Sequence, residues 1–150
     1  GRGAEPRDGT ERGGWQSEEH AMAEPLKAPQ IWRVYSKDDG TSAMEQVDLG
    51  MGPAGGSGTT SKLLAGNGVI FRWMPAEMNA DWHPAPRRQM VATLTGEGEI
   101  ETGDGQVLVV RAGVVTLLED THGKGHKTRA RGGAGRLSAF LPLDDGTTIP

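Results

Sequence analysis

Residues 79–131 read NADWHPAPRRQMVATLTGEGEIETGDGQVLVVRAGVVTLLEDTHGKGHKTRAR, and this stretch decides the fold. Short apolar runs alternate in it with glycine-bearing turns. Arg88 to Thr95 is a β-compatible run closed by Gly96-Glu97-Gly98, and Gly98 to Thr102 is closed in turn by Gly103-Asp104-Gly105. Gln106 to Val110 follows that Asp-Gly directly. This is a strong hairpin signal, because tight turns that match strand twist need positive φ, which glycine and aspartate tolerate. Arg111-Ala112-Gly113 breaks the run, Val114 to Leu118 resumes it, Thr121 to Gly125 turns again, and His126 to Ala130 reads as a further strand. Short strands roughly 8–12 residues apart with turns between them predict an all-β sandwich or barrel.

The flanking sequence extends this pattern. Ile31 to Tyr35 alternates and is expected as the first ordered strand. Ala43 to Leu49 suits neither period cleanly and is read as a strand in the company of strands. Gly50 to Ser61 has the composition of a flexible loop. Val69 to Met74 is expected as a strand with both faces largely apolar, Pro75 to Asp81 as a connection, and Gly135 to Pro142 as the last strand. Residues 1–30 cannot bury enough apolar surface to offset ordering entropy and are expected as a disordered tail. The ordered domain is then 31–143, with 144–150 as a polar C-terminal tail.

Composition narrows the function classes. The net charge of −4 disfavours a general nucleic-acid surface. With no cysteine there is neither a disulfide frame nor a thiolate metal site. No apolar run approaches the ~18–20 residues of a membrane span. Neither nucleic acid nor membrane is expected as a partner, and the expected location is cytoplasmic.

Three of the four histidines (His83, His122, His126) fall in the stretch quoted above. Pro84 and Pro86 keep the backbone after His83 extended, because each disfavours the helical region for the residue before it. Residues two apart on a strand share a face, so His83, Ala85, Arg87 and Gln89 are expected to point one way. The next strand presents Val91, Thr93 and Thr95 on one face and Met90, Ala92 and Leu94 on the other. Both faces are apolar enough to bury. A second layer is therefore needed outside, from the first strands of this chain or from a second copy.

These residues resemble the two motifs of the cupin superfamily, a small jelly-roll β-barrel of two packed antiparallel sheets. The first motif runs G, five residues, H-x-H, three or four residues, E, six residues, G. His83 fits its first histidine and Gly96 its closing glycine. Ala85 stands at the second histidine, Gln89 at the glutamate, and Met78 or a neighbour at the opening glycine. The second motif runs G, five residues, P-x-G, two residues, H. Gly113 fits its glycine, and His126 fits its histidine once two extra residues are allowed within Thr121 to Gly125. Glu119 replaces the proline. The resemblance covers about residues 65 to 142 and implies a single cupin-like barrel and a homodimer.

It also implies a pocket for a small molecule. A divalent metal (iron, nickel, manganese or zinc) would rest on His83, Gln89 and His126, two imidazoles and one oxygen as in two-histidine, one-carboxylate sites. Glu119 or Asp120 would supply the charge that a neutral amide lacks, with His122 as a further candidate. Glu119 and His126 are the candidate acid–base residues. Arg87, inward beside His83, is a candidate for gripping a substrate carboxylate or phosphate. Trp73 and Trp82 are candidates for the pocket wall. Two functions follow: a metal-dependent enzyme of small-molecule metabolism, of dioxygenase, isomerase or lyase type, or a non-catalytic small-molecule binder without metal.

Overall fold

The computed structural model describes residues 30–150, so the tail expected over 1–30 lies, but for Gln30, outside the described residues. The strands are β1 (Gln30–Ser36), β2 (Ser42–Asp48), β3 (Gly52–Pro53), β4 (Thr59–Thr60), β5 (Ile70–Met74), β6 (Asn79–His83), β7 (Gln89–Thr95), β8 (Glu97–Glu101), β9 (Val107–Arg111), β10 (Val115–Glu119), β11 (His126–Arg131) and β12 (Arg136–Pro142). Among the described residues there is no helix.

One sheet has six strands in the order β2-β1-β10-β7-β12-β5, and the other four in the order β6-β11-β8-β9. From β5 onward the chain passes back and forth between them, with only the β8–β9 hairpin staying in one sheet. This is a jelly-roll arrangement. Two of the crossings, β7 to β8 and β9 to β10, fall at predicted glycines: Gly96 and Gly113 have φ of +80° and +89°, values at which an L side chain is strained. Gly105 (φ +90°) closes the β8–β9 hairpin, its N–H donating to Thr102 O at 3.0 Å.

Three expectations about the barrel are corrected. Among the described residues no strand pairing joins the two sheets, so they face one another without closing. Pairing is antiparallel except between β1 and β10, which run parallel with Trp32 opposite Thr116 and Tyr35 opposite Glu119. The first strands therefore extend the six-stranded sheet rather than cover it. The segment expected as a connection over Pro75 to Asp81 already enters β6 at Asn79.

Alternation builds two cores. Val34, Met44, Leu118, Ile100, Val110 and Ala85 pack between the sheets. Ile31, Met90 and Leu117 pack on the outer face of the larger sheet, under Leu49, Leu64, Leu143 and Ile149. The second layer therefore comes from the chain's own loop and C-terminal segment. The C-terminal residues are not a free tail, because Thr147 Oγ1 donates to Ala65 O at 2.7 Å and the Arg88 guanidinium donates to Thr147 O. Burying Ile31 and Leu117 almost completely contributes roughly 1.5–3 kcal/mol each. The glycine-rich loop carries the short β3–β4 pair. Strand β5 is a sheet edge with Phe71 and Trp73 exposed on its outer face, and of its five residues only Met74 is buried, against the expectation of two apolar faces.

Candidate functional site

A cavity of about 310 Å³ lies between the sheets beside the inner core, sharing Val91, Ile100 and Val110 with it. This is at the small end of the range for small-molecule sites. Alternate residues of the larger sheet form one wall: Ile70, Arg72 and Met74 of β5, Arg136, Ser138 and Phe140 of β12, and Gln89, Val91 and Thr93 of β7. The smaller sheet supplies Ala80, His83, Ile100, His126 and Thr128.

The chemistry concentrates at His83 and His126. His83 ends β6, His126 begins β11, and the two are register partners. Their ring centroids are 4.7 Å apart with the planes tilted by 55°. His83 Nδ1 lies 2.7 Å from Asp81 O, and a carbonyl can only accept, so this nitrogen carries the hydrogen. His126 Nδ1 donates to Asp120 Oδ2 at 2.5 Å, with both side chains buried. Each ring is thus fixed in one tautomer, with Nε2 left for whatever enters the cavity.

Backbone packing sets the spacing of the pair. A Cβ on Gly125 would sit 2.0 Å from His83 O and 2.3 Å from Pro84 N. Only glycine lets the loop before β11 close onto the His83–Pro84 peptide. The two extra residues in that loop let it dock on the β1–β2 hairpin, where Lys124 N–H donates to Gly40 O at 2.8 Å and Ser36 Oγ to His122 O at 2.8 Å. His122 is exposed there and takes no part in the pair.

No family model matches the sequence, and no curated protein is significantly similar to it. Similar solved structures include a cupin domain from Bordetella pertussis (14% identity over 80% of this chain and 99% of that one, TM-score 0.40). A Klebsiella pneumoniae protein with a double-stranded β-helix domain is 13% identical over 86% and 89%, TM-score 0.42. The Schizosaccharomyces pombe Cnp3 cupin domain is 15% identical over 79% and 86%, TM-score 0.42. The likeness is one of fold, to the all-β jelly roll described above. In this jelly roll His83, Gln89, Arg87 and His126 line one cavity. Gln89 is buried, and its Oε1 accepts from Arg87 Nη1 at a long 3.4 Å. Arg87 itself is exposed, at the rim. Ala85 does not line the cavity and packs in the inner core beside it.

Three expected site residues lie elsewhere. Trp73 falls between the inward Arg72 and Met74, so it points outward, packs over Gly135 and is 64% exposed. Trp82 precedes His83 and takes the opposite face, where Lys124 Nζ lies 4.0 Å from its ring centroid. Glu119 shares the outward parity of Leu117 and joins Arg33 (Nε to Oε1, 2.5 Å) and Arg88, so it cannot act on the cavity. The carboxylate that meets His126 is its neighbour Asp120.

Burial disfavours the charged form of Glu119, but hydrogen bonds from Arg33 and Arg88, with their charges, outweigh it and hold its pKa below the ordinary 4.5. A lowered folded-state pKa adds stability that is complete above the ordinary value and lost as pH falls through the folded one. Glu119→Gln is expected to cost about 1 kcal/mol at pH 7 and to flatten the decline of stability below pH ~4.5. Urea titrations at pH 7 and 3.5 read this, and an unchanged acid slope would refute it.

The donor set suits a divalent ion poorly. Both histidines have the tied Nδ1 usual in metal ligands. However, the two imidazoles and the Gln89 amide are neutral, and among the described residues no third His, Cys, Asp or Glu joins them. Among the described residues the lining includes three arginines and no carboxylate. Nothing there offsets the charge of a cation.

Proposed function

We propose that this chain is a cupin-type small-molecule-binding protein that holds its ligand between the sheets without a resident divalent metal. The observation that carries this reading is the His83–His126 pair. Both Nδ1 atoms are committed, neither Nε2 has a hydrogen-bond partner among the described residues, and the cavity beside them has apolar walls and the small polar side chains Thr93, Thr116 and Ser138. Such a site orients a ligand through a few convergent polar groups and takes most of its affinity from apolar contact.

A second reading, proton-transfer catalysis on the bound ligand, is favoured by one feature. Asp120 orients His126 as an acid–base group is oriented in hydrolytic triads, leaving Nε2 to take or give a proton.

The experiment is a ligand screen by thermal shift on metal-analysed protein. Hits are expected to lose at least tenfold in affinity in His83→Ala, with metal far below one equivalent per chain and melting unmoved by a chelator. A stoichiometric metal whose removal lowers the melting temperature, or hits that bind His83→Ala unchanged, would sink the reading. Conversion of a hit by the native chain, lost in His126→Gln with binding retained, would establish the catalytic reading.

A further inference from the structure

Arg136 opens β12 opposite Met74, and its side chain lines the cavity with only 6% of the residue exposed. Among the described residues its one hydrogen bond runs from Nη2 to Met74 Sδ at 3.2 Å, a weak acceptor. Nε and Nη1 are buried and find no hydrogen-bond partner among the described residues. Burial, and then the nearby Arg72 charge, push its pKa down from the ordinary value. A guanidinium nevertheless stays protonated at neutral pH. An unpaired, dehydrated charge of this kind is costly, and native structures retain one where something pairs with it.

The facing sheet is shaped around this group. A Cβ on Gly98 of β8 would fall 1.5 Å from Arg136 Nη1, so the guanidinium spans the interior and occupies the place of the β8 side chain. Gly98 lies within a strand, opposite Val110 and Ala130, where glycine is otherwise unfavourable. The carboxylates beside it are committed on the outer face. Arg129 Nε lies 2.5 Å from Glu99 Oε2, and Arg131 Nη1 lies 3.6 Å from Glu99 Oε1. Arg72 and Arg87, both exposed, add positive charge at the lining, and among the described residues no acidic side chain lines the cavity.

We infer that the cavity takes a small organic carboxylate, with its carboxylate on Arg136 and its apolar body against Met74, Ile100 and Phe140. The inference rests on the small-molecule reading above and names its ligand class. Arg136 is then the counter-ion site, and Gly98 is the vacancy that lets its guanidinium reach across. The histidine pair lies toward the other end, since Ala130, the β11 partner of Gly98, is four residues from His126, roughly 13 Å along the strand. A ligand with a second polar group would meet both.

The test is thermal unfolding of the full chain with sodium benzoate or sodium hexanoate, against benzyl alcohol, 1-hexanol, and sodium chloride or inorganic phosphate at matched ionic strength. At a hundred times the dissociation constant the carboxylates are expected to raise the melting temperature by roughly 8 °C. The alcohols and inorganic salts should give little. Arg136→Met should lose the carboxylate response while melting no lower than the native chain in chloride, because it removes an unpaired charge. Arg136→Gln serves the same comparison if the Met variant fails to fold. Equal responses to alcohol and carboxylate would overturn the carboxylate inference and leave the small-molecule reading standing. An equal response to inorganic phosphate, or a carboxylate response surviving in the Arg136 variants, would overturn the assignment too. No response to any carboxylate would overturn it, whatever other small molecules bind.

Discussion

Gly125→Ala is expected to lower the melting temperature by roughly 10 °C and to abolish ligand binding by the histidine pair. Two costs add. The residue has a φ of +72°, where a side chain costs about 1–2 kcal/mol. Its Cβ would also sit 2.0 Å from His83 O, among backbone atoms that no rotamer change can clear. Overpacking of this kind costs about 1–3 kcal/mol. A total near 3 kcal/mol corresponds to the stated shift for a chain of this size. Gly105→Ala provides the control. Its φ is +90°, but nothing lies within 4 Å of the added methyl, so it carries the conformational cost alone. Relief of the Gly125 clash requires the His83–Pro84 peptide to move away from β11, which separates the imidazoles. Equal destabilisation by the two substitutions, measured by calorimetry, would show that the close approach at Gly125 does not hold the pair together.

The same glycines show why part of this molecule was legible in its sequence. Gly96, Gly105 and Gly113 stand at turns because the backbone there needs positive φ, a demand local enough to be read from composition alone. Gly98 looked like part of the turn at Gly96, but it lies inside β8 for a non-local reason, the guanidinium of Arg136 thirty-eight positions away. Arg136 falls within Gly135 to Pro142, which reads from sequence only as the last strand. The one hint was that Arg136, Ser138 and Phe140 share a face while Leu137, Ala139 and Leu141 share the other.

Confusion of Glu119 with Asp120 has a similar origin. Leu117 and Leu118 are both buried, one on each face of the larger sheet, so the apolar pattern did not say which neighbouring carboxylate turns inward. The parallel entry of β1 beside β10 decides it, because Arg33 then stands opposite Leu117, within reach of Glu119 on the outer face. Trp73 and Trp82 adjoin cavity residues in sequence but not in space, because strand alternation reverses the face at every step.

Asp120→Ala is expected to cost about 3 kcal/mol, out of proportion to one small polar side chain. Asp120 is 0% exposed and His126 3%, and their contact is the only hydrogen bond that satisfies His126 Nδ1 among the described residues. Removal of the carboxylate leaves a buried N–H without an acceptor. Removal of the imidazole by His126→Ala leaves a buried carboxylate whose other oxygen, Oδ1, already lacks a partner. Each single change therefore strands the opposite group, whereas the double change strands neither. The two costs should fail to add by about 2 kcal/mol, so that Asp120→Ala/His126→Ala is only about 1 kcal/mol less stable than Asp120→Ala alone. Asp120→Asn separates shape from charge, because its amide oxygen can still accept from Nδ1 and should recover part of the stability. The imidazole proton then remains on Nδ1, visible in ¹⁵N spectra of the ring. Additive losses in a urea-unfolding cycle would mean that the two groups are buried side by side without depending on each other, and His126 would then owe its tautomer to something other than Asp120.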